Sequence, residues 1–222
     1  MITLAIDSTM NGCCACLYDD KHGVLSAQTM KMSRGQAEHL IPLIDDIVTN
    51  YDDIDLIAVT KGPGAFTGMR IGLAAAKSLA LALDIPVFGV CTFRAVLETY
   101  LSIKPDNKYD YYGVLLETKR KDYYFQMFDG KTMDKACEPM AMEEQDITSM
   151  IADKNILIIG DAADRFKNDI SFYNINMPAP AEIARIAIKI YDKDKNNADC
   201  EPQYLRMPEI GTPKTLPRKL KQ

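Results

Sequence analysis

The stretch from Asp55 to Val90 constrains the fold of this 222-residue chain more than any other. A short apolar run, Leu56–Thr60, is broken by Lys61-Gly62-Pro63-Gly64. A segment of helix length, from Met69 to about Leu83, then leads to a second apolar run, Ile85–Val90. The pattern indicates strand, tight turn, helix and strand. Two strands joined by one helix form a right-handed parallel unit, so the sequence predicts a parallel sheet.

The helix in this stretch is apolar on nearly all sides. Between Ile71 and Leu83 only Lys77 and Ser78 are plainly polar, and a helix without a broad polar face is expected to be buried all round. Small residues repeat every four positions, at Gly68, Gly72, Ala76 and Ala80. Such a stripe allows another backbone to approach closely. One face can lie on its own sheet, so we expect a second domain or another protein chain to cover the other.

The residues before this stretch predict three antiparallel strands and a helix. Ile2–Ile6 and Cys13–Tyr18 flank Asn11-Gly12, a strong hairpin signal, and Val24–Met30 forms the third strand. An apolar stripe of helical period then runs from Ala37 to Val48. The predicted order is therefore three strands, then helix, strand, helix and strand. This is the order of the ribonuclease-H-like half of the actin, sugar-kinase and Hsp70 (ASKHA) architecture, an α/β sandwich with a mixed sheet.

The second half repeats strands before helices. Tyr111–Glu117 and Tyr123–Phe128 are predicted to form a hairpin, followed by a helix near Gln145–Ala152, a strand at Ile156–Ile159 and a helix at Ala179–Tyr191. The polar, proline-containing segment 103–109 marks a boundary. We therefore expect two ribonuclease-H-like domains, residues 1–103 and a smaller α/β domain, residues 104–222.

Composition restricts the compartment and the partners. Hydrophobic residues make up 47% of the chain, its net charge is −5, and no leader or membrane-span pattern is found. We expect a cytoplasmic protein without a membrane partner. The small basic clusters, Lys119-Arg120-Lys121 and the tail residues Lys214, Arg218, Lys219 and Lys221, are expected to be solvated. RNA contact would therefore need help from a partner.

Two motifs suggest anion binding, and each also has a structural interpretation. The loop Gly62–Gly68 precedes a helix, where free N–H groups favour phosphate, yet it matches no known phosphate-loop pattern and Pro63 removes a donor. It can equally be a tight turn that packs closely on the sheet. Asp7 ends the first strand, where this architecture places a carboxylate that orients phosphate or metal, but a turn-capping role is favoured.

No motif provides a convincing catalytic or metal site. Cys13 and Cys16 satisfy a CxxC spacing, but residues three apart on a strand point to opposite faces, so core thiols are expected. The two histidines, His22 and His39, form no helix-spaced ligand pair, and no serine lies in a nucleophile elbow. We therefore predict neither catalytic residues nor a bound metal.

Four segments resemble the TsaB (YeaZ) family. They are Leu4–Thr9, Gly35–Pro42, the highly specific GPGAFTGMRIG core at Gly62–Gly72, and Pro86–Val90. Further along, Glu117–Arg120 with Tyr123-Tyr124 is similar to a diverged form of the family's DAR-x-x-(E/D)-VY segment, and Pro202–Arg206 matches its C-terminal P-x-YLR. The resemblance is strong to Val90 and looser after it.

The resemblance implies a two-domain actin-like subunit of the bacterial machinery that installs threonylcarbamoyl on adenosine 37 of tRNA. It implies a non-catalytic scaffold that activates a TsaD-like catalytic subunit, joined by a TsaE-like ATPase and homodimeric in isolation. Contact with tRNA would occur only through the complex. ATP or ADP would contact the glycine loop at the subunit interface, and the candidate nucleotide-contacting residues are Asp7, Gly62, Gly64, Thr67 and Arg70.

The partner interface is expected on two helices of the N-terminal half, which would form a four-helix bundle with those of the partner. The predicted interface residues are Leu40, Leu43, Ile44, Ile47, Met69, Gly72, Leu73 and Ala76. On this prediction Ala76→Arg abolishes association while the isolated chain stays folded. Two alternatives remain open at this stage: an ASKHA-type ATPase or phosphotransferase, and a glycoprotease-like peptidase.

Overall fold

The computed structural model describes residues 1–104, 108–166, 170–195 and 199–206. It contains two five-stranded mixed sheets flanked by helices, which confirms the predicted fold class. The tail lysines and arginine at 214–221 and part of the predicted boundary segment lie outside the described residues.

The first half follows the predicted order of elements. Its strands and helices are β1 (Ile2–Asp7), β2 (Gly12–Asp19), β3 (Gly23–Lys31), α1 (Gln36–Ile47), β4 (Leu56–Gly62), α2 (Phe66–Leu83), β5 (Val87–Cys91) and α3 (Thr92–Ile103). The sheet order is β3-β2-β1-β4-β5. Strand β1 pairs antiparallel with β2 and parallel with β4, so the hairpin and the parallel unit are both confirmed.

The second half builds the second sheet. Its elements are β6 (Tyr111–Glu117), β7 (Asp122–Asp129), β8 (Met140–Glu143), α4 (Glu144–Ile151), β9 (Ile156–Gly160), β10 (Phe172–Asn174) and α5 (Pro180–Lys193). The order is β10-β9-β6-β7-β8. The sequence did not predict β8 and β10, because strands of four and three residues are too short to show an alternating pattern.

Four apolar clusters hold the layers together. Helices α1 and α2 cover one face of the first sheet, where Leu40, Ile44 and Leu73 pack against residues of β1, β2 and β4. Helix α5 covers the opposite face through Ile183, Ala184 and Ala187. Helix α3 packs on β6 and β9 of the second sheet as well as on β4 and β5 of the first, so it lies between the two sheets.

Helix α5 returns to the sheet of the first half although it follows the second half in sequence. It packs on β1, β2 and β5, and this long-range placement was not anticipated by the predicted division into residues 1–103 and 104–222. Residues before and after position 103 build different sheets, but α5 completes the layer of the first sheet. The boundary of independently folding domains stays a prediction.

Helix α2 is less buried than its composition predicts. Only six of its residues are buried, and Leu81 is 85% exposed. By length and composition alone α2 could span a membrane. A helix that packs on its own sheet passes the same test, and α2 packs on β4 and α1. The chain itself therefore leaves one face of α2 open, and of the two expected covers the second half of the chain does not supply this one.

Candidate functional site

The small-residue stripe of α2 faces inward. A Cβ atom added to Gly64 would lie 2.9 Å from the Cβ of Thr9, and one added to Gly68 would meet the carbonyl oxygen of Ser8. Two hydrogen bonds fix this close approach: Ser8 Oγ donates to the carbonyl of Gly68 at 2.7 Å, and the backbone N–H of Ala65 donates to the carbonyl of Thr9 at 2.7 Å. Another backbone does approach the stripe closely, as predicted from its small residues, but it is the backbone of the chain's own turn after β1.

The predicted interface residues belong to this inward side. All eight are buried within the chain: Leu40, Leu43, Ile44, Ile47, Met69, Gly72, Leu73 and Ala76. They form the core between α1, α2 and the first sheet. Apolar periodicity reports which residues are buried without reporting by what, so the predicted faces are those that the chain itself covers. A partner interface on these two helices stays a prediction.

The open face of α2 carries a second stripe of small residues. Its members follow one another at intervals of four, three, four and four residues: Thr67, Ile71, Ala74, Ser78 and Ala82. Ile71 is partly buried and the other four are exposed. Ile41 of α1 is also 43% exposed. Spacings of three and four place side chains on one side of a helix, so this outward stripe is a narrow, smooth surface.

Asp7 is sealed beneath this region. Its Oδ1 accepts hydrogen bonds from Thr9 Oγ1 at 2.5 Å, Thr60 Oγ1 at 2.6 Å and the backbone N–H of Thr9 at 3.1 Å. Burial raises the pKa of this carboxyl group, while the hydrogen bonds oppose the increase. Oδ2 is buried without a hydrogen-bond partner among the described residues. Asp7 therefore holds the turn after β1, as its structural interpretation predicts, and has no exposed surface.

A cleft of about 720 Å³ lies where the two halves meet. Its walls are the start of α1, the first turn of α2, the β6–β7 turn and the segment 203–206. The charged lining residues are Arg34, Glu38, Glu117, Lys119, Arg120 and Arg206. Neither α1 nor α2 has a side-chain cap at its N-terminus. Cationic side chains beside uncapped helix N-termini give the cleft the chemistry of an anion site.

The structure separates the five candidate nucleotide-contacting residues. Gly64 and Thr67 line the cleft. Gly62 is covered by the chain near Gln203, and Asp7 is buried. The guanidinium carbon of Arg70 lies 3.9 Å from the centre of the Phe66 ring, and its Nε donates to the hydroxyl of Tyr204 at 2.8 Å. Nucleotide contact by these residues stays a prediction, and only two of them face the open cleft.

A hydrogen bond between the halves lies near the cleft. Asn11, in the turn after β1, donates through Nδ2 to Oδ2 of Asp161 at 2.9 Å, and the backbone N–H of Glu117 donates to Oδ1 of Asp161 at 2.9 Å. Burial, with a smaller contribution from the Glu117 carboxylate, raises the pKa of Asp161 to about 6. The sequence reasoning missed this contact, for which the Gly160-Asp161 dipeptide after β9 was the only visible signal.

The raised pKa of Asp161 makes part of the stability dependent on pH. Its value of about 6 in the folded chain exceeds the ordinary 3.8, so the folded state binds the proton more tightly than the unfolded state. The contribution of Asp161 to the free energy of unfolding is fully present below about pH 4 and is lost as pH rises through about 6. The Asp161→Asn variant should lack this dependence. From the lower to the higher of these two pH values, its free energy of unfolding should therefore rise relative to that of the wild type by on the order of 2 kcal/mol. Urea unfolding at several pH values measures the difference, and a constant difference would contradict it.

Cys13 and Cys16 are core thiols, as predicted. Cys13 packs in the core under α1 and α2, whereas Cys16 packs on the opposite face under α5. All six cysteines are unpaired thiols, and burial raises the pKa of Cys16 to about 11. His22 and His39 are exposed. Among the described residues there is no cluster of His, Cys, Asp or Glu that could hold a metal ion.

Comparison with known proteins identifies the class first. An activator of 2-hydroxyisocaproyl-CoA dehydratase from Clostridium difficile, solved with ADPNP, has a TM-score of 0.53 at 8% identity over 90% of this chain and 98% of its own. YeaZ from Pseudomonas aeruginosa has a TM-score of 0.76 at 19% identity over 92% of this chain and 99% of its own. The two mixed sheets thus have an ASKHA-type, actin-like fold.

The sequence comparisons then give the family. The profile of TsaD, the tRNA N6-adenosine threonylcarbamoyltransferase, matches residues 25–216. The tRNA threonylcarbamoyladenosine biosynthesis protein TsaB of Escherichia coli is 34% identical over 102 residues, which span 44% of this chain and 43% of that protein. The matched part is thus less than half the length of that relative. The chain belongs to the TsaD family and, within it, to the TsaB (YeaZ) group.

Proposed function

We propose that the chain is a non-catalytic scaffold subunit in the biosynthesis of N6-threonylcarbamoyladenosine at position 37 of tRNA. It binds and activates a TsaD-type catalytic subunit in the cytoplasm. The observation that carries the proposal is the open stripe of α2, from Thr67 to Ala82. The family assignment gives the partner that would occupy this stripe.

The chemistry of the two helices fits a helical partner. Small side chains at Ala74, Ser78 and Ala82 allow another helix to approach closely, and each square ångström of apolar surface that is buried contributes about 25 cal/mol before association costs. The open side of α1 carries the exposed residues Glu38 and Asp45. A partner with an apolar helix and cationic residues beside it would complement this surface.

The same surface supports the remaining partner proposals. In isolation a second copy of the chain can occupy the stripe, giving a homodimer that competes with the TsaD-type subunit. A TsaE-like ATPase joins the heteromeric complex. With a net charge of −5, the chain is a poor nucleic-acid binder alone, so tRNA would be contacted through the complex.

The cleft offers a place for ATP or ADP near this surface. Thr67 lines the cleft and is also the first residue of the open stripe, so a bound phosphate group could contact both the first turn of α2 and a docked partner. The uncapped N–H groups of that turn and Arg34 would stabilise the negative charge. Asp7 takes no part, because it is buried below the turn.

A reconstituted modification assay tests the proposed function. The TsaD-type and TsaE-type subunits are supplied with a threonylcarbamoyl donor and unmodified tRNA, with and without this chain. We expect at least about tenfold more modified adenosine when the chain is present. Equal modification without it would refute the scaffold role. Modification by this chain in the absence of the TsaD-type subunit would show that it is itself the enzyme.

A further inference from the structure

The last described segment, residues 199–206, crosses from the first half of the molecule to the second. We call it the C-terminal strap. It begins at the edge of β5, where Sγ of Cys200 donates to the carbonyl of Val87 at 3.4 Å. It then covers the turn after β4, where the backbone N–H of Gln203 donates to the carbonyl of Lys61 at 2.7 Å. It ends at Arg206, which forms an ion pair with Asp122 of β7.

Two glycines provide room for the strap. A Cβ atom added to Gly89 would collide with the carbonyl oxygen of Asp199 and lie 3.2 Å from the Cα atom of Cys200. One added to Gly62 would lie 3.0 Å from the carbonyl oxygen of Gln203. At Gly89 contact this close is feasible only for glycine, so the edge of β5 is shaped to receive the strap.

The strap is held by ion pairs and by limited apolar contacts, in which Tyr204 packs against Phe66 and the partly buried Leu205 packs on the core of the second half. Three ion pairs fasten it: Lys61–Asp199, Lys77–Glu201 at 3.1 Å, and Arg206–Asp122. The side chains of Asp199 and Glu201 are 55% and 82% exposed. Exposed ion pairs each contribute little and are weakened by salt. The single buried side chain of the strap is Cys200.

We propose that the C-terminal strap is a releasable gate that closes one wall of the cleft and links the two halves. When it is closed, Gln203, Tyr204 and Arg206 line the cleft, and the ring of Tyr204 lies 5.4 Å from that of Phe66 on the first turn of α2. Its release removes this wall and uncovers Lys61 and Gly62. Release requires only small changes in the core, because the strap contributes the buried Cys200 to the first layer and the partly buried Leu205 to the second.

The thiol of Cys200 reports release directly. In the closed state it is buried, and burial raises its pKa to about 11, so it should react slowly with iodoacetamide. Cys13, Cys14 and Cys16 are buried in the first sheet and serve as internal controls for global unfolding. Mass spectrometry of the full-length chain after digestion gives the labelling rate of each cysteine separately.

Two kinds of variant release the strap by different routes. In Gly89→Ala the added methyl group collides with the carbonyl oxygen of Asp199. The double variant Asp199→Asn, Glu201→Gln removes two ion pairs and adds no bulk. We expect Cys200 labelling to accelerate about tenfold in the first and about threefold in the second. Raising sodium chloride from about 0.05 M to about 1 M should accelerate it in the wild type. Ser149→Ala, at an exposed position of α4, is the matched control and should leave the rate unchanged.

The internal controls decide between release and unfolding. Acceleration at Cys200 with unchanged labelling of Cys13, Cys14 and Cys16 supports the gate. If Cys200 reacts no faster in Gly89→Ala and in high salt, the strap is a fixed part of the core and the proposal fails. It also fails if all four thiols accelerate together. Neither outcome bears on the proposed scaffold role, because no partner is present in this experiment.

Discussion

Replacement of Ala74 by arginine should abolish binding of the TsaD-type partner and leave the isolated chain folded, whereas the same replacement of Ala76 should prevent folding. The two residues are only two positions apart on α2 but lie on different sides of the helix: Ala74 is exposed, whereas Ala76 is fully buried. In a docked complex the guanidinium introduced by Ala74→Arg would be an unpaired buried charge, which should weaken binding by at least about 100-fold. The guanidinium introduced by Ala76→Arg would be forced into the core, at a cost comparable to the whole free energy of unfolding, about 5 to 15 kcal/mol.

Thermal unfolding and titration with the purified partner measure the two effects separately. Lys77→Ala is the control, since Lys77 pairs with Glu201 of the strap and is outside the open stripe. It should change affinity by no more than about threefold. Normal partner binding by the folded Ala74→Arg variant would exclude the open side of α2 as the interface. A folded Ala76→Arg variant that fails to bind would instead restore the interface first predicted from the sequence.

Gly68→Ala should destabilise the chain although alanine is the better helix former. Helix propensity alone would favour alanine by about 1 kcal/mol. The added methyl group, however, would collide with the carbonyl oxygen of Ser8 and disturb the hydrogen bond from Ser8 Oγ to the carbonyl of Gly68. We expect a net loss of about 2 to 4 kcal/mol in the free energy of unfolding.

Urea denaturation measures this loss, and the reverse substitution on the other side of the helix is its control. Ala74→Gly creates no cavity, so it should cost only the propensity difference of about 1 kcal/mol. If Gly68→Ala were neutral or stabilising, the turn after β1 could move away from α2. The close approach would then be a packing preference without structural importance.

Local patterns were sufficient to predict most of the fold. The Asn11-Gly12 hairpin and the strand–helix–strand unit around α2 are encoded in short segments with strong turn and period signals, and both are present. The return of α5 to the first sheet depends on contacts between residues far apart in sequence. No window of adjacent residues contains that information, so the layer to which α5 belongs could not be predicted.

The candidate site was harder to predict because α2 has small residues on two sides. Gly68, Gly72 and Ala76 line the inward side, and Ala74, Ser78 and Ala82 the outward side. Both sets have helical spacing, and the sequence does not state which one the turn after β1 will occupy. The loop residues Gly64 and Thr67 line a cleft that the sequence did not predict, and nucleotide contact by them stays a prediction. The Pro202–Arg206 segment was noticed only as a motif, because its contacts with β4, α2 and β7 are all long-range.

The position of α5 has a consequence for the order in which the chain can mature on the ribosome. The first five strands are made early, yet the face of their sheet that carries Ala5, Ala58 and Phe88 receives its cover from α5, which is made only after all five strands of the second sheet. Until then the nascent polypeptide presents an uncovered apolar layer, a state prone to aggregation and to chaperone capture. Maturation of the first sheet is thus timed by the arrival of α5.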